Sequence, residues 1–236
     1  MYRYETMTRL AEGRVVAIVR EGNRADGRRV ATLLSGLGFP ALEVTATTPG
    51  AYDIVEELCG SRTPVGTPVG TLVGGPVGGP VGAPVGTPVG TLVGVGTVLS
   101  ASQAVDAAQA GAYYVVTPNC CPEVIQSAHR HGLAALVGCA TPTEIVTALQ
   151  AGADAIKVFP ADTLGPQFLT AVHGPLPWAP LVPVGGVTVE NARTWLDHGA
   201  VAVALGSGLT KGTDDQIAGR VRQLLANTTP PLSGNQ

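Results

Sequence analysis

The sequence predicts an α/β fold, a (β/α)8 TIM barrel, and three observations predict it. Eight short apolar runs, built mainly from Val, Ile, Leu and Ala, each precede a segment whose apolar residues recur at helical spacing. The runs are apolar throughout rather than alternating, as expected for a parallel sheet covered on both faces. Their C-terminal ends carry the reactive groups, including Arg20, Glu43, Lys157 and Ser207, and a barrel of this kind places its site at that end.

The elements follow in order. Val15-Val16-Ala17-Ile18-Val19 is the first strand. Residues 24–37 form its helix, with Val30, Leu33, Leu34 and Leu37 in helical register and Gly38 as the stop. Residues 41–44 and 52–59 are the second pair. The third strand reads as 94–99 and its helix as 101–110, closed by Gly111. Then come 113–116 with 123–131, and 134–137 with 142–151. The last of these helices starts on Thr141 as N-cap, with Pro142 at its first position. Residues 155–159 carry Lys157 and end at Pro160, which has no N–H to donate to a ladder. A short helix 166–172, strand 181–184, helix 189–197, strand 201–205 and helix 214–225 complete the set.

One stretch is built differently. From Pro64 to Val95 a unit Pro/Leu-Val-Gly-x repeats eight times. Pro blocks helix and removes ladder donors, and a Gly in every unit raises the cost of ordering. The composition is similar to elastin-like repeats, extended and rich in turns. The expected division is therefore one barrel from 1–63 and 92–227, a repeat insertion at 64–91 between the second helix and the third strand, and a flexible tail at 228–236. The insertion should hang from the face opposite the site. It is either an inert loop or a segment for self-association.

Composition narrows the function. Of 236 residues, 45% are hydrophobic and 13% charged, enough for one large core. A net charge of −3 with no basic block argues against nucleic acid as a partner. No apolar run approaches the roughly 20 residues that span a bilayer, so no membrane association is expected. The start of the chain mixes Arg3, Glu5, Arg9 and Glu12, unlike a signal peptide, which points to the cytoplasm. Cys59, Cys120, Cys121 and Cys139 lack CxxC spacing and read as free thiols. His129 and His131, two apart on a helix, do not share a face, so no metal is expected there.

The chemistry centres on Lys157. A lysine in an apolar strand is costly, because its ammonium loses hydration. That loss favours the neutral amine, which can attack a ketone and form a Schiff base. The plainer reading is an edge lysine whose stem runs out to water. Glu43, also in an apolar strand, suits a proton shuttle; its plainer reading is a salt bridge to Arg20 or Lys157. Gly185, Gly186, Gly206 and Ser207, after the seventh and eighth strands, suit an anion grip made by backbone N–H groups, or simply two tight turns.

Six segments in this order carry a family resemblance: Val15-Val16-Ala17-Ile18-Val19-Arg20, Leu42-Glu43-Val44-Thr45, Gly94-Val95-Gly96-Thr97-Val98-Leu99, Val116-Thr117-Pro118, Gly138-Cys139-Ala140-Thr141-Pro142-Thr143-Glu144 and Ile156-Lys157-Val158-Phe159-Pro160-Ala161. Together the chain resembles the 2-keto-3-deoxy-6-phosphogluconate / 4-hydroxy-2-oxoglutarate aldolases, over nearly all of its length except the repeat and tail. The resemblance implies class I aldol cleavage of a small keto-acid to pyruvate and glyceraldehyde 3-phosphate, without cofactor or metal, in a homo-oligomer that is a trimer. It assigns the Schiff base to Lys157 and proton transfer to Glu43. Arg20, Thr97 and the backbone near Pro118 then hold the pyruvyl carboxylate, Thr45 is a further substrate-binding residue, and Gly185, Gly186, Gly206 and Ser207 lie around the distal phosphate. A phosphogluconate-type acid is the first expectation. A 4-hydroxy-2-oxoglutarate or phosphogalactonate-type substrate is the alternative, and a silent barrel carrying the repeat is a further one. The chain departs from the family pattern at Thr47, where many members have Arg, and at Val184, where many have Thr. The second change removes a phosphate hydrogen bond worth about 1–2 kcal/mol.

Overall fold

Each strand consists of residues that suit a fully covered sheet, and each is buried along its whole length. The computed structural model describes residues 1–60 and 90–229. In chain order the elements are α1 (Arg3–Gly13), β1 (Val15–Val19), α2 (Arg24–Gly36), β2 (Ala41–Thr45), α3 (Ala51–Gly60), β3 (Leu92–Gly96), α4 (Ala101–Gln109), β4 (Tyr114–Val116), α5 (Pro122–Arg130) and β5 (Ala134–Cys139). There follow α6 (Pro142–Gln150), β6 (Ala155–Val158), α7 (Ala161–Leu164), α8 (Gln167–His173), β7 (Leu181–Pro183), α9 (Ala192–Asp197), β8 (Val203–Leu205), α10 (Ser207–Thr210) and α11 (Asp214–Thr228). All strand pairs are parallel, in the order β7-β6-β5-β4-β3-β2-β1-β8. A bridge between Val184 and Ala204 brings the two ends of the sheet together. The predicted barrel is present, closed except for a full β7–β8 ladder.

Apolar side chains form two layers. Val16, Ile18, Ala41, Leu92, Tyr114, Leu136, Ala155, Val182 and Ala204 fill the barrel interior. The alternate strand residues, among them Val15, Ala17, Leu42, Val93 and Ile156, pack against the helices outside. This two-sided burial explains why the strands read as unbroken apolar runs.

Several boundaries differ from the sequence reading. The helix α1 was not expected, because most of its residues are polar; only Thr6 and Leu10, four apart and so on one face, are buried. Leu10 joins the interior residues and caps the end of the barrel where the strands begin. The strand β3 starts at Leu92 and ends at Gly96, so Thr97, Val98 and Leu99 lie beyond it. The helix α11 runs to Thr228, which makes the first residue of the expected tail helical. Residues 61–89 of the repeat region and 230–236 of the tail lie outside the described residues. Where α6 begins, Thr141 Oγ1 accepts from Glu144 N, and Pro142 opens the helix as expected.

Candidate active site

Parallel register sets which side chains meet inside the barrel. Lys157 pairs with Gly138 on one side and Val182 on the other; Glu43 lies between Ile18 and Gly94. Ala155 faces the interior, so Lys157, two residues on, does as well. Lys157 is only 4% exposed, and its Nζ lies over the Phe159 ring at 5.2 Å from the centroid. The lysine is therefore inside the barrel and not on an edge.

Glycines make room for this arrangement. A Cβ built on Gly96 would fall 1.8 Å from Glu43 Oε1, so the Glu43 side chain fills the space above β3. A Cβ on Gly94 would fall 2.5 Å from the Tyr114 ring, whose hydroxyl donates to the Leu42 carbonyl at 2.7 Å. A Cβ on Gly138 would meet the Pro118 carbonyl carbon at 2.2 Å, so the loop after β4 lies against β5 only because that position is glycine. Three inward positions without side chains thus fix where a carboxylate, a phenol and a loop can sit.

Glu43 is 1% exposed, and its Oε1 has no hydrogen-bond partner among the described residues. Burial raises its pKa, and the positive charges of Lys157 and Arg20 act against that rise. Burial, with Glu43 nearby, pushes the Tyr114 phenol well above its usual range. Arg20 Nη2 donates to Thr97 Oγ1 at 3.4 Å. Thr97 has φ 57°, a left-handed conformation that a β-branched residue rarely adopts.

A cavity of about 520 Å³ opens at the C-terminal ends of β6, β7, β8 and β1. Arg20, Lys157, Gly185, Gly186, Gly206 and Ser207, all named from sequence, line it. The other named residues stand elsewhere. Glu43 is not among the lining residues, though its charge couples to Lys157 and Arg20. Thr97 reaches the site through Arg20, and Pro118 stands over Gly138, beside the lysine strand. Thr45 does not line the cavity; its Oγ1 lies 3.0 Å from that of Thr47 and 3.1 Å from that of Thr48, a cluster that ties the end of β2 to β1 through the Val19 carbonyl.

Sequence reasoning missed Phe159, Thr188 and Lys211, which also line the cavity. Lys211 had a usable signal: the chain contains two lysines, and both lie here. Gly185 and Gly186 have φ of 99° and 68°, so their turn needs glycine. Asn191 braces it, donating to the Gly186 carbonyl at 3.0 Å and accepting from Thr188 N at 2.8 Å. The cavity walls carry three cationic side chains and no carboxylate. They suit an anionic ligand, with an amine at hand for a carbonyl. Among the described residues no group of three or more His, Cys, Asp or Glu side chains could hold a metal ion, and no helix is long and apolar enough to cross a membrane. Among the described residues Cys120, Cys121 and Cys139 are free thiols.

The sequence model of the KDPG and KHG aldolase family matches residues 87–222. The 2-dehydro-3-deoxy-6-phosphogalactonate aldolase of Escherichia coli is 46% identical over 117 residues, 49% of this chain and 57% of that protein. A probable 2-dehydro-3-deoxy-6-phosphogalactonate aldolase of Rhizobium meliloti is 32% identical over 89% of this chain and 86% of that protein. A solved structure described as native KDPGal is 30% identical with a TM-score of 0.73, covering 90% of this chain and 93% of the other. The match to the E. coli protein thus spans little more than half its length, whereas the other two are nearly end to end.

Proposed function

Because the chain belongs to the KDPG and KHG aldolase family, whose members are pyruvate-releasing lyases, we propose that it cleaves a 2-keto-3-deoxy-6-phospho sugar acid through a Schiff base on Lys157. The products are pyruvate and glyceraldehyde 3-phosphate. Lys157 Nζ attacks the 2-keto carbon, water leaves, and a protonated imine forms. The C4 hydroxyl gives up its proton, the C3–C4 electron pair moves towards the imine, and the aldehyde departs from an enamine. Protonation at C3 and addition of water then release pyruvate and the free amine.

Glu43 carries the protons. Burial raises its carboxyl pKa, against the pull of Lys157 and Arg20, in the direction that suits a group that both takes and gives a proton. Arg20 receives the pyruvyl carboxylate, for which its planar fork is suited. The Gly185-Gly186 turn and the Gly206-Ser207 corner receive the phosphate through backbone N–H groups. Val184 leaves that end without one hydroxyl donor. The observation that carries the reading is a buried lysine in a cavity with cationic walls, electrostatically coupled to a buried glutamate.

The C4 configuration of the substrate is a finer proposal. The sequence reading places the gluconate-type acid first. The two relatives described above are both named for the galactonate-type epimer, and we take that epimer as the better supported substrate. A trimer in the cytoplasm remains the expected setting, and sedimentation of the full chain checks the assembly. Turnover of the two phosphorylated epimers, side by side, tests the assignment. A higher kcat/KM on the galactonate-type acid is expected, and preference for the gluconate type would reverse it.

A further inference from the structure

The three cations of the cavity are not equivalent. Lys157 is buried at the end of β6. Arg20 is drawn towards β3 by its bond to Thr97. Lys211 is exposed, immediately after α10 and on the same cavity wall as Gly206, Ser207 and Gly208.

The loop that bears Lys211 is held on both sides. Lys211 N donates to the Ser207 carbonyl at 3.2 Å, which ties it to the corner after β8. From α11, Arg220 Nε donates to the Leu209 carbonyl at 3.1 Å, and its Nη2 donates to the Lys211 carbonyl itself. Gly212, at φ 105°, turns the chain away directly afterwards, and Thr213 opens α11 with a capping box. A guanidinium spent on two backbone carbonyls fixes the loop without using the charge of Lys211. Among the described residues Lys211 forms no ion pair with a carboxylate.

We propose that Lys211 is the counter-ion for the distal phosphate of the substrate and sets the preference for phosphorylated over unphosphorylated acids, with Arg220 as the residue that positions it. This rests on the aldolase reading given above. The dianion then lies between backbone N–H groups of the glycine turns and one exposed ammonium. That ammonium attracts the phosphate from solvent and lets the product leave. The carboxylate end is served separately by Arg20, so the two charges of the substrate meet different cations of the cavity.

The experiment runs the reaction in the condensing direction with the full chain, pyruvate, and either glyceraldehyde 3-phosphate or glyceraldehyde. Lys211→Met should lower kcat/KM for the phosphorylated aldehyde by about ten- to a hundredfold, mainly through KM, and for glyceraldehyde far less. Lys211→Arg should recover most of the loss. Arg220→Ala should show the same selectivity with a smaller drop, and should add little to Lys211→Met. Equal losses on both aldehydes, or no loss, in a variant that still traps pyruvate with borohydride would overturn the assignment. If the wild-type chain itself traps no pyruvate, the aldolase reading has failed, and inorganic phosphate then serves as the probe. Calorimetric binding weakened in Lys211→Met supports the anion site; equal binding in both chains removes it.

Discussion

At the end of the barrel where the strands begin, Asp154 meets the full set of its partners; at the opposite end, Arg20, Lys157 and Lys211 share a cavity whose walls hold no carboxylate. Asp154 Oδ1 accepts from Arg3 Nη1 at 2.9 Å, and its Oδ2 accepts from Ala135 N at 2.9 Å and lies 2.9 Å from His129 Nε2. That cluster pins α1 across the barrel floor and joins β5 to β6. The charges there satisfy one another, so they contribute to stability and have nothing left to offer a ligand. At the mouth the cations have no carboxylate beside them in the cavity wall, and among the described residues the buried Glu43 Oε1 has no hydrogen-bond partner. The difference separates charge used to hold the fold from charge kept for substrate.

The contrast can be broken from the mouth first. Glu43→Gln keeps the shape and removes the proton shuttle; kcat should fall by about 10²- to 10⁴-fold while the chain stays folded and pyruvate can still be trapped. Steady-state kinetics with circular dichroism as the folding control checks this. Gly96→Ala should be next in size, because its methyl would lie where Glu43 Oε1 now sits. The carboxyl must move, so activity should drop on the order of a hundredfold and stability by about 1–3 kcal/mol. Gly36→Ala, at the end of α2, whose methyl would meet nothing within 4 Å, is the matched control and should leave activity unchanged without loss of stability.

The floor should answer in the opposite sense. Asp154→Ala should cost about 2 kcal/mol in urea unfolding, since it leaves Arg3, His129 and the Ala135 N–H without their acceptor, and should leave kcat as it was. A loss of kcat matching that of Glu43→Gln would erase the distinction between the two ends.

The smallest effect is one of pH. The folded pKa of Glu43 is raised, so between its ordinary value of 4.5 and the folded value the native state binds more protons than the unfolded chain. Stability is then highest below that window and falls as pH rises through it. Glu43→Gln removes the penalty. Its stability relative to wild type should therefore grow with pH above about 4.5, as read from unfolding curves at a series of pH values.

Much of this was legible in the chain. The eight strands announce themselves because both faces are covered, which leaves few polar positions to interrupt the pattern. Lys157 and Glu43 stand out as charges within such runs. The helix α1 did not stand out, since it buries only Thr6 and Leu10 and is held largely by the Arg3 contact to Asp154, 151 positions away. Lys211 was missed because a Thr-Lys-Gly loop has no periodicity to mark it. The dependence of Glu43 on Gly96 requires the β2–β3 register, which no local pattern encodes. Thr45 reads from sequence as a substrate contact, whereas its hydroxyl is taken up by neighbouring threonines.

The central claim is that one buried amine captures a keto-acid, and the scarcity of lysine makes that simple to test. The full chain is incubated with pyruvate and borohydride, digested, and mapped by mass spectrometry. The account predicts a single reduced pyruvyl adduct on Lys157, absent after Lys157→Met and never on Lys211. No adduct, or one that persists in Lys157→Met, would contradict it.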